Sequence, residues 1–174
     1  MSRISKNEYY MNITKEVASR STCFRAHHGA IIVKEDQIIC TGYNGSPRKT
    51  KDCLERNNCL RDELNIPSGQ RYEMCRSVHA EQNAIINAAR SGTNLLGGTL
   101  YLYSEKLDSD GNSKIIEALP CFICKKMIIN AGLEKLVSNT PGGLKIYEIS
   151  DWVDDWKKND LIDDVLVYGE KIKK

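Results

Sequence analysis

Residues 75–90 read Cys75-Arg-Ser-Val-His79-Ala-Glu81-Gln-Asn-Ala-Ile-Ile-Asn-Ala-Ala-Arg90. The pattern predicts a helix from about residue 78 to 90, because its apolar residues share one helical face and Ser91-Gly92 ends the run. The apolar face consists of Ala84, Ile85, Ala88 and Ala89. His79 and Glu81 lie two residues apart where this helix begins. We therefore expect a catalytic site at the N-terminal end of a helix that packs in the core.

A second stretch, Pro120-Cys121-Phe-Ile-Cys124, opens another apolar helix that Gly132 can end. The two stretches together read His-x-Glu followed by Pro-Cys-x-x-Cys. That combination is typical of the zinc-dependent nucleobase deaminases.

The composition narrows the class of protein. A chain of 174 residues predicts one domain, 1–174, with a sizeable core. A net charge of +2 requires neither nucleic acid nor an anionic membrane as a partner. No stretch is long and apolar enough to span a membrane, and the polar N-terminus lacks a signal-peptide pattern, so we expect a cytoplasmic protein. Its seven cysteines then favour metal binding or reactive thiols over disulfides.

The amino-terminal half predicts a helix and a hairpin. Ser5-x-x-Glu8 is a capping-box pattern and predicts a helix over residues 5–20. The short apolar runs 30–33 and 38–41 predict a buried β-hairpin in which Cys40 is a core residue. Residues 48–76 are charged and irregular, and a stretch of this length needs something to hold it in place.

The carboxy-terminal half predicts three more strands. Residues 99–103 form the third strand, and 104–119 are a polar connection. Residues 135–138 and 145–149 form strands four and five, which must be antiparallel because their connection is too short for a crossover. An alternative takes Val165–Tyr168 as the fifth strand after a crossover over 151–163. Trp152 and Trp156, four residues apart, are expected to anchor a helix on the core.

The coordination chemistry of zinc explains the residue types at the two helix starts. Catalytic zinc takes three protein ligands and keeps a position for water, whose pKa it lowers toward about 7. His79, Cys121 and Cys124 supply the three ligands, and Glu81 is the proton shuttle. Three other interpretations stay open: the cysteine pair is a redox dithiol, the cluster is a closed structural zinc site with a fourth ligand, or the two motifs occur together by chance.

Four further cysteines predict a second metal site. Cys23, Cys53, Cys59 and Cys75 could hold a structural tetrahedral zinc that fixes the irregular 48–76 segment. Reduced free cysteines or a disulfide are the alternatives.

The chain resembles the deoxycytidylate (dCMP) deaminase family of the cytidine deaminase-like superfamily. The matching segments lie between residues 5 and 138 and are Ser21-Thr-Cys-Phe-Arg-Ala-His-His-Gly-Ala30, Thr41-Gly-Tyr-Asn-Gly-Ser-Pro47, Cys75-Arg-Ser-Val-His-Ala-Glu-Gln-Asn-Ala84 and Pro120-Cys-Phe-Ile-Cys-Lys-Lys-Met-Ile-Ile-Asn-Ala-Gly132.

The resemblance implies a three-layer α/β/α fold around a five-stranded mixed sheet. It implies zinc-dependent hydrolysis of dCMP to dUMP on the route to thymidylate, and a homo-oligomer. By position, Ala80 would meet the pyrimidine through its backbone and Asn44 would contact the sugar. Arg25 is the candidate phosphate contact, because a monophosphate suits an arginine fork, although an ordinary surface charge is the alternative.

The chain also departs from the family pattern. The gap from Glu81 to Pro120 is longer than usual, His28 replaces an apolar residue, and Asp52 stands where a histidine ligand often lies. The short connection between strands four and five differs from the helix-linked parallel strands of the family, so the last 35 residues give no support for a phosphate site or for regulation by nucleotides.

Other functions compete with dCMP deamination. One is a deaminase of another small compound, such as dCTP, cytidine, deoxycytidine or a riboflavin-pathway pyrimidine. A tRNA or single-stranded nucleic acid deaminase would require a basic path with aromatic residues, which the near-neutral charge does not favour. A non-catalytic metal-binding accessory protein would have no need of Glu81.

Overall fold

The computed structural model describes residues 3–67, 69–108 and 110–159. A mixed sheet carries helices on both faces, which confirms the predicted α/β class. In chain order the elements are α1 (Lys6–Ala18), β1 (Ala26–Lys34), β2 (Gln37–Tyr43), α2 (Cys53–Arg56), α3 (Leu60–Glu63), a 3-10 turn (Tyr72–Met74), α4 (Ala80–Ser91), β3 (Thr99–Leu107), β4 (Ser113–Ile115), α5 (Phe122–Asn130), β5 (Lys135–Thr140), β6 (Gly143–Glu148) and α6 (Ile149–Asn159).

The sheet runs in the order β2-β1-β3-β5-β6, with β4 beside β3. Strands β1 and β2 form the predicted antiparallel hairpin. Strand β3 is antiparallel to β1 and parallel to β5. Strands β5 and β6 are antiparallel, which confirms the predicted hairpin between strands four and five. The alternative strand Val165–Tyr168 lies outside the described residues.

The polar connection predicted over 104–119 is wrong in part. Strand β3 continues to Leu107, and Glu105–Leu107 pair with β4 in an additional hairpin. The three residues of β4 are exposed, so no buried face marks them as a strand in the sequence. Their backbone pairing with β3 holds them in place.

Each face of the sheet packs against its own helices. Helix α1 begins at Ser5, whose capping box with Glu8 is formed as predicted. It covers a cluster in which its Tyr10 and Met11 pack with Ile31, Tyr101 and Val137. Helices α4 and α5 cover the opposite face, where the larger core cluster includes the predicted core residue Cys40. Successive residues of a strand alternate between these two faces.

Helix α4 lies very close to β2. A Cβ atom at Gly42 would approach the backbone nitrogen of Ala84 to 2.3 Å and the carbonyl oxygen of Ala80 to 2.4 Å, so only glycine permits this contact. The side-chain amides of Asn83 and Asn87 donate hydrogen bonds to the carbonyls of Tyr43 and Thr41, both at 2.8 Å. The first turn of α4 is thereby fixed against the sheet.

Helix α6 is anchored by aromatic contacts, as predicted. Trp152 packs against the core cluster and lies 6.4 Å from the Tyr147 ring. The Trp156 ring lies 5.5 Å from Phe122, at the start of α5. Over the described part of the chain, no helix combines the length and the apolar character needed to cross a bilayer.

Candidate active site and metal centre

Three predicted ligands meet where α4 and α5 begin. His79 directly precedes α4, Cys121 directly precedes α5, and Cys124 lies in the first turn of α5. The His79 Nδ1 atom lies 3.4 Å from each of the two sulfurs. The His79 backbone N–H donates to the Gln82 side chain at 3.1 Å, which fixes the helix start that carries the imidazole.

The donor set suits zinc. A tetrahedral ion with Zn–N and Zn–S bonds of about 2.1 and 2.3 Å separates the nitrogen from each sulfur by about 3.6 Å, close to the 3.4 Å found here. All three donor atoms lie within 4.8 Å of one another. Because three protein ligands leave a tetrahedral ion one position for water, the cluster has the composition of a catalytic zinc centre.

The two thiols differ in proton affinity. A hydrogen bond from Cys124 lowers the pKa of Cys121 well below its ordinary value, despite the opposing effect of burial. The same hydrogen bond, with burial and the neighbouring Glu81 carboxylate, raises the pKa of Cys124. One thiolate is therefore ready for a cation, and the second proton leaves when the metal binds.

Glu81 lies beside this cluster and is only 5% exposed. Burial raises the pKa of its carboxyl, while the nearby imidazole of His79 acts in the opposite direction. A buried carboxyl with a raised pKa holds a proton more readily than an exposed one, which suits a group that accepts and donates protons in acid–base catalysis.

The cluster opens into a cavity of about 330 Å³, which we call the site cavity. Its wall includes all three predicted substrate contacts, Asn44, Ala80 and Arg25. The Asn44 amide accepts a hydrogen bond from the His28 backbone N–H at 2.8 Å and donates to the Ala26 carbonyl at 3.0 Å, so it also joins β2 to β1. Arg25 forms an ion pair with Asp62 at 3.5 Å.

Two residues of the irregular segment reach the site without having been predicted. The Tyr72 ring lies edge-on to the His79 imidazole, with centroids 4.9 Å apart. The Arg61 guanidinium lies 5.2 Å from the Tyr72 ring centroid and donates to the carbonyls of Pro67 and Gln70 at 2.7 and 2.6 Å. Neither residue belongs to a recognisable motif, so the sequence carries no signal for this support.

A polar cross-strand pair also lines the site cavity. His28 Nδ1 lies 2.7 Å from Ser104 Oγ, and the two residues are paired across β1 and β3. Burial lowers the pKa of His28 to about 4, with a further contribution from His79. His28 is therefore neutral at physiological pH. The sequence marked His28 as unusual but not its partner, since Ser104 lies in the longer gap before Pro120.

The four remaining cysteines, Cys23, Cys53, Cys59 and Cys75, all line one region of the site cavity. Burial raises the pKa of Cys23, and Cys75 and Cys59 are near enough to contribute. The Cys53 sulfur lies 3.9 Å from Arg76 Nη1. Among the described residues, however, only His79, Cys121 and Cys124 form a group of three or more donors within 4.8 Å of one another.

Comparisons with known proteins agree with this geometry. A family model described as "Cytidine and deoxycytidylate deaminase zinc-binding region" matches residues 4–140. A deoxycytidylate deaminase of Mycobacterium phage D29 is 33% identical over 142 residues, covering 79% of this chain and 96% of the relative. A deoxycytidylate deaminase of Schizosaccharomyces pombe is 30% identical over 138 residues, covering 79% of this chain. The chain spans 38% of that relative's length.

A solved structure supports the same relationship. The crystal structure of dCMP deaminase from the cyanophage S-TIM5 in complex with dCMP and dUMP matches with a TM-score of 0.53 and 26% identity. The match covers 78% of this chain and 82% of the cyanophage chain.

Proposed function

Because the chain belongs to the cytidine and deoxycytidylate deaminase family, we propose that it converts dCMP and water to dUMP and ammonia, supplying thymidylate synthesis. The observation that carries the proposal is the buried Glu81 carboxyl beside His79, Cys121 and Cys124 at one end of the site cavity. A cavity of about 330 Å³ is also within the range of pockets that bind small molecules.

Separate side chains bind the metal and transfer the protons. His79, Cys121 and Cys124 hold the zinc ion, which when bound supplies a water of lowered pKa. Glu81 accepts one proton from the attacking water and donates it to ring nitrogen N3. It then takes the proton of the hydroxyl formed at C4 and donates it to the amine, which leaves as ammonia. The raised pKa of Glu81 supports this role, since the same carboxyl must take up and release protons near neutral pH.

Three residues are proposed to position the nucleotide. The backbone of Ala80, at the start of α4, lies beside the ligand His79 and would meet the pyrimidine. Asn44 would contact the sugar from its place in the cavity wall. Arg25 would contribute to phosphate binding, but its charge is shared with Asp62 at 3.5 Å and its Nη1 also donates to the Ile66 carbonyl at 3.4 Å.

A second, structural zinc at Cys23, Cys53, Cys59 and Cys75 is also part of the proposal. Their common region of the cavity wall supports it. The ion would draw together four thiolates carried by loops and short helices, and its binding would be coupled to the folding of that segment. A homo-oligomeric state and a cytoplasmic location stay predictions of the sequence.

The direct test is ammonia release from zinc-loaded protein, with the product identified by mass, using dCMP, CMP, dCTP, deoxycytidine and cytidine. We expect dCMP to be preferred over every other compound. The Glu81→Gln protein is the control, and it should keep its zinc while losing turnover. Inactivity on all five compounds with zinc bound would refute the proposal, and equal rates with deoxycytidine would refute the preference for a monophosphate.

A further inference from the structure

The additional β3–β4 hairpin adds a charged residue to the site cavity. Strand alternation places the side chains of Leu102, Ser104 and Lys106 on the same face of β3, toward α4 and α5. Leu102 belongs to the core on that face, Ser104 bonds His28 in the cavity, and Lys106 lines the cavity farther along the strand. Lys106 is thus at the outer end of a row that begins in the core.

The row of side chains from Leu102 to Lys106 extends away from the Glu81 end of the site cavity. Helix α4 begins against Gly42, which is paired with Ala30 of β1. Lys106 is paired with Ala26, four residues farther along β1. At about 3.3 Å per residue, this distance is about 13 Å. A nucleotide whose base lies at Ala80 and Glu81 would direct its phosphate along this path.

The charge of Lys106 has no counter-ion among the described residues. Its cross-strand partner on β4 is Lys114, so two like charges face each other directly, an arrangement that is unfavourable by itself. The carboxylates nearby are already paired. Glu105 bonds Tyr103 and lies 3.4 Å from His27, and Glu117 lies 3.5 Å from Lys145. Lys106 lines the site cavity and Lys114 is not among the lining residues, so an anion in the cavity would lie beside Lys106.

The two arginine side chains of the cavity wall are held by other protein groups. Arg25 is paired with Asp62, and Arg61 is only 7% exposed and donates through Nη2 to two backbone carbonyls, while its buried Nε has no partner among the described residues. We propose that Lys106 binds the 5′-phosphate of the nucleotide and is a determinant of the preference for a monophosphate over a nucleoside. This inference rests on the proposed function, since it assumes that the base occupies the Glu81 end of the cavity.

The test compares dUMP with deoxyuridine in calorimetric titrations of the zinc-loaded protein, so that binding is measured without turnover. The variants are Lys106→Gln, Lys106→Arg as the rescue, and Lys114→Gln as the matched control on the same hairpin. Loss of a charge-assisted contact should raise the Kd for dUMP about 10-fold in Lys106→Gln. The Kd for deoxyuridine should not change, Lys106→Arg should restore most of the affinity, and Lys114→Gln should resemble the wild type.

Steady-state kinetics separate this inference from the proposed function. The KM for dCMP should rise in Lys106→Gln while kcat stays nearly constant, because the phosphate is remote from the reacting carbon. The inference is overturned if the Kd for dUMP is unchanged in Lys106→Gln, or if dUMP does not bind to the wild type. It is also overturned if Lys106→Gln loses as much affinity for deoxyuridine as for dUMP, or if Lys114→Gln loses as much affinity for dUMP as Lys106→Gln. If the wild type releases no ammonia from dCMP but Lys106 still governs dUMP binding, the proposed reaction fails and the phosphate contact stands.

Discussion

The two sets of cysteines in this chain differ in what holds them. Cys121 and Cys124 are carried by the first turn of α5, and they meet His79 at the start of α4 with both helices packed on the same face of the sheet. Cys23, Cys53, Cys59 and Cys75 instead lie on loops, on four-residue helices or next to a 3-10 turn. The donor atoms of the first set and His79 lie within 4.8 Å of one another, and those of the second set do not form such a group.

The two sets of cysteines depend on different parts of the structure for the positions of their sulfur atoms. On a helix, the spacing of two cysteines three residues apart is fixed by the backbone, so packing the helix places both sulfurs. On loops, each sulfur depends on its own connection, and the ion has to bring the ligands together. Four experiments test whether the two sets of cysteines differ in this way.

Replacing a ligand of the first set should abolish catalysis. Cys124→Ser should lower kcat/KM for dCMP by at least about 1,000-fold, because both the zinc ion and its activation of water are lost. The measurement pairs ammonia-release kinetics with zinc analysis. The control is Cys40→Ala, since that thiol donates to the Ala84 carbonyl and belongs to no group of metal donors in the described part of the chain. A Cys124→Ser protein within 10-fold of the wild type would remove Cys124 from the catalytic centre.

The close contact between α4 and β2, which holds His79 in place, should not tolerate a larger side chain at Gly42. Gly42→Ala would press a methyl group into the backbone of α4 at Ala80 and Ala84, and overpacking of this kind should lower the free energy of unfolding by about 3 kcal/mol. Urea denaturation measures the loss. Gly142→Ala is the matched control, because its added Cβ would meet only the Thr140 hydroxyl at 3.7 Å. Equal stability of the two variants would show that the close contact between α4 and β2 is not required.

The neutral state of His28 predicts a pH effect on stability. Its folded pKa of about 4 is below the ordinary value of 6.5, so the unfolded chain binds more protons between these two pH values. Stability should therefore fall as pH drops from 6.5 to 4, by about 2 kcal/mol from this residue. His28→Gln, which does not titrate, should have a shallower loss in denaturation curves measured across that range. Parallel curves for the two proteins would contradict burial of the imidazole.

Replacing a ligand of the second set should have the smallest effect on chemistry. Cys59→Ser should release the proposed structural zinc and make residues 48–76 more sensitive to protease. It should lower kcat for dCMP by less than about 10-fold, because these residues support the catalytic ligands only indirectly. Zinc analysis with limited proteolysis tests this. A protein that keeps its full zinc content, or a wild type that binds only one ion, would show that the second set consists of free thiols.

The sequence predicted the elements whose signal is local. The cap at Ser5, the burial of Ala84 and Ala88 on α4 and the short link between β5 and β6 are each encoded within a few residues, and they are confirmed. Ala89, predicted on the same apolar face of α4, is exposed. The first metal centre was predictable for the same reason, since each of its motifs opens a helix. Local patterns of this kind need no knowledge of distant contacts.

The rest depends on contacts between distant residues. Strand β4 has no buried face, so only its pairing with β3 identifies it. His28 and Ser104 are far apart in sequence and meet only because β1 and β3 are neighbours in the sheet. Arg61 and Tyr72 reach His79 from a segment whose course is set by tertiary contacts, and their side-chain types alone do not predict that role.

The connection from β3 through α5 to parallel β5 has a handedness on which the active centre depends. Such connections are right-handed in nearly all proteins, a preference that derives from the chirality of L-amino acids. In the mirror-image path, α5 would lie beside α1 on the other face, with the whole sheet between its cysteines and His79. The handedness of this connection, which is set when β3 and β5 pair, therefore determines whether His79 and the two cysteines can meet.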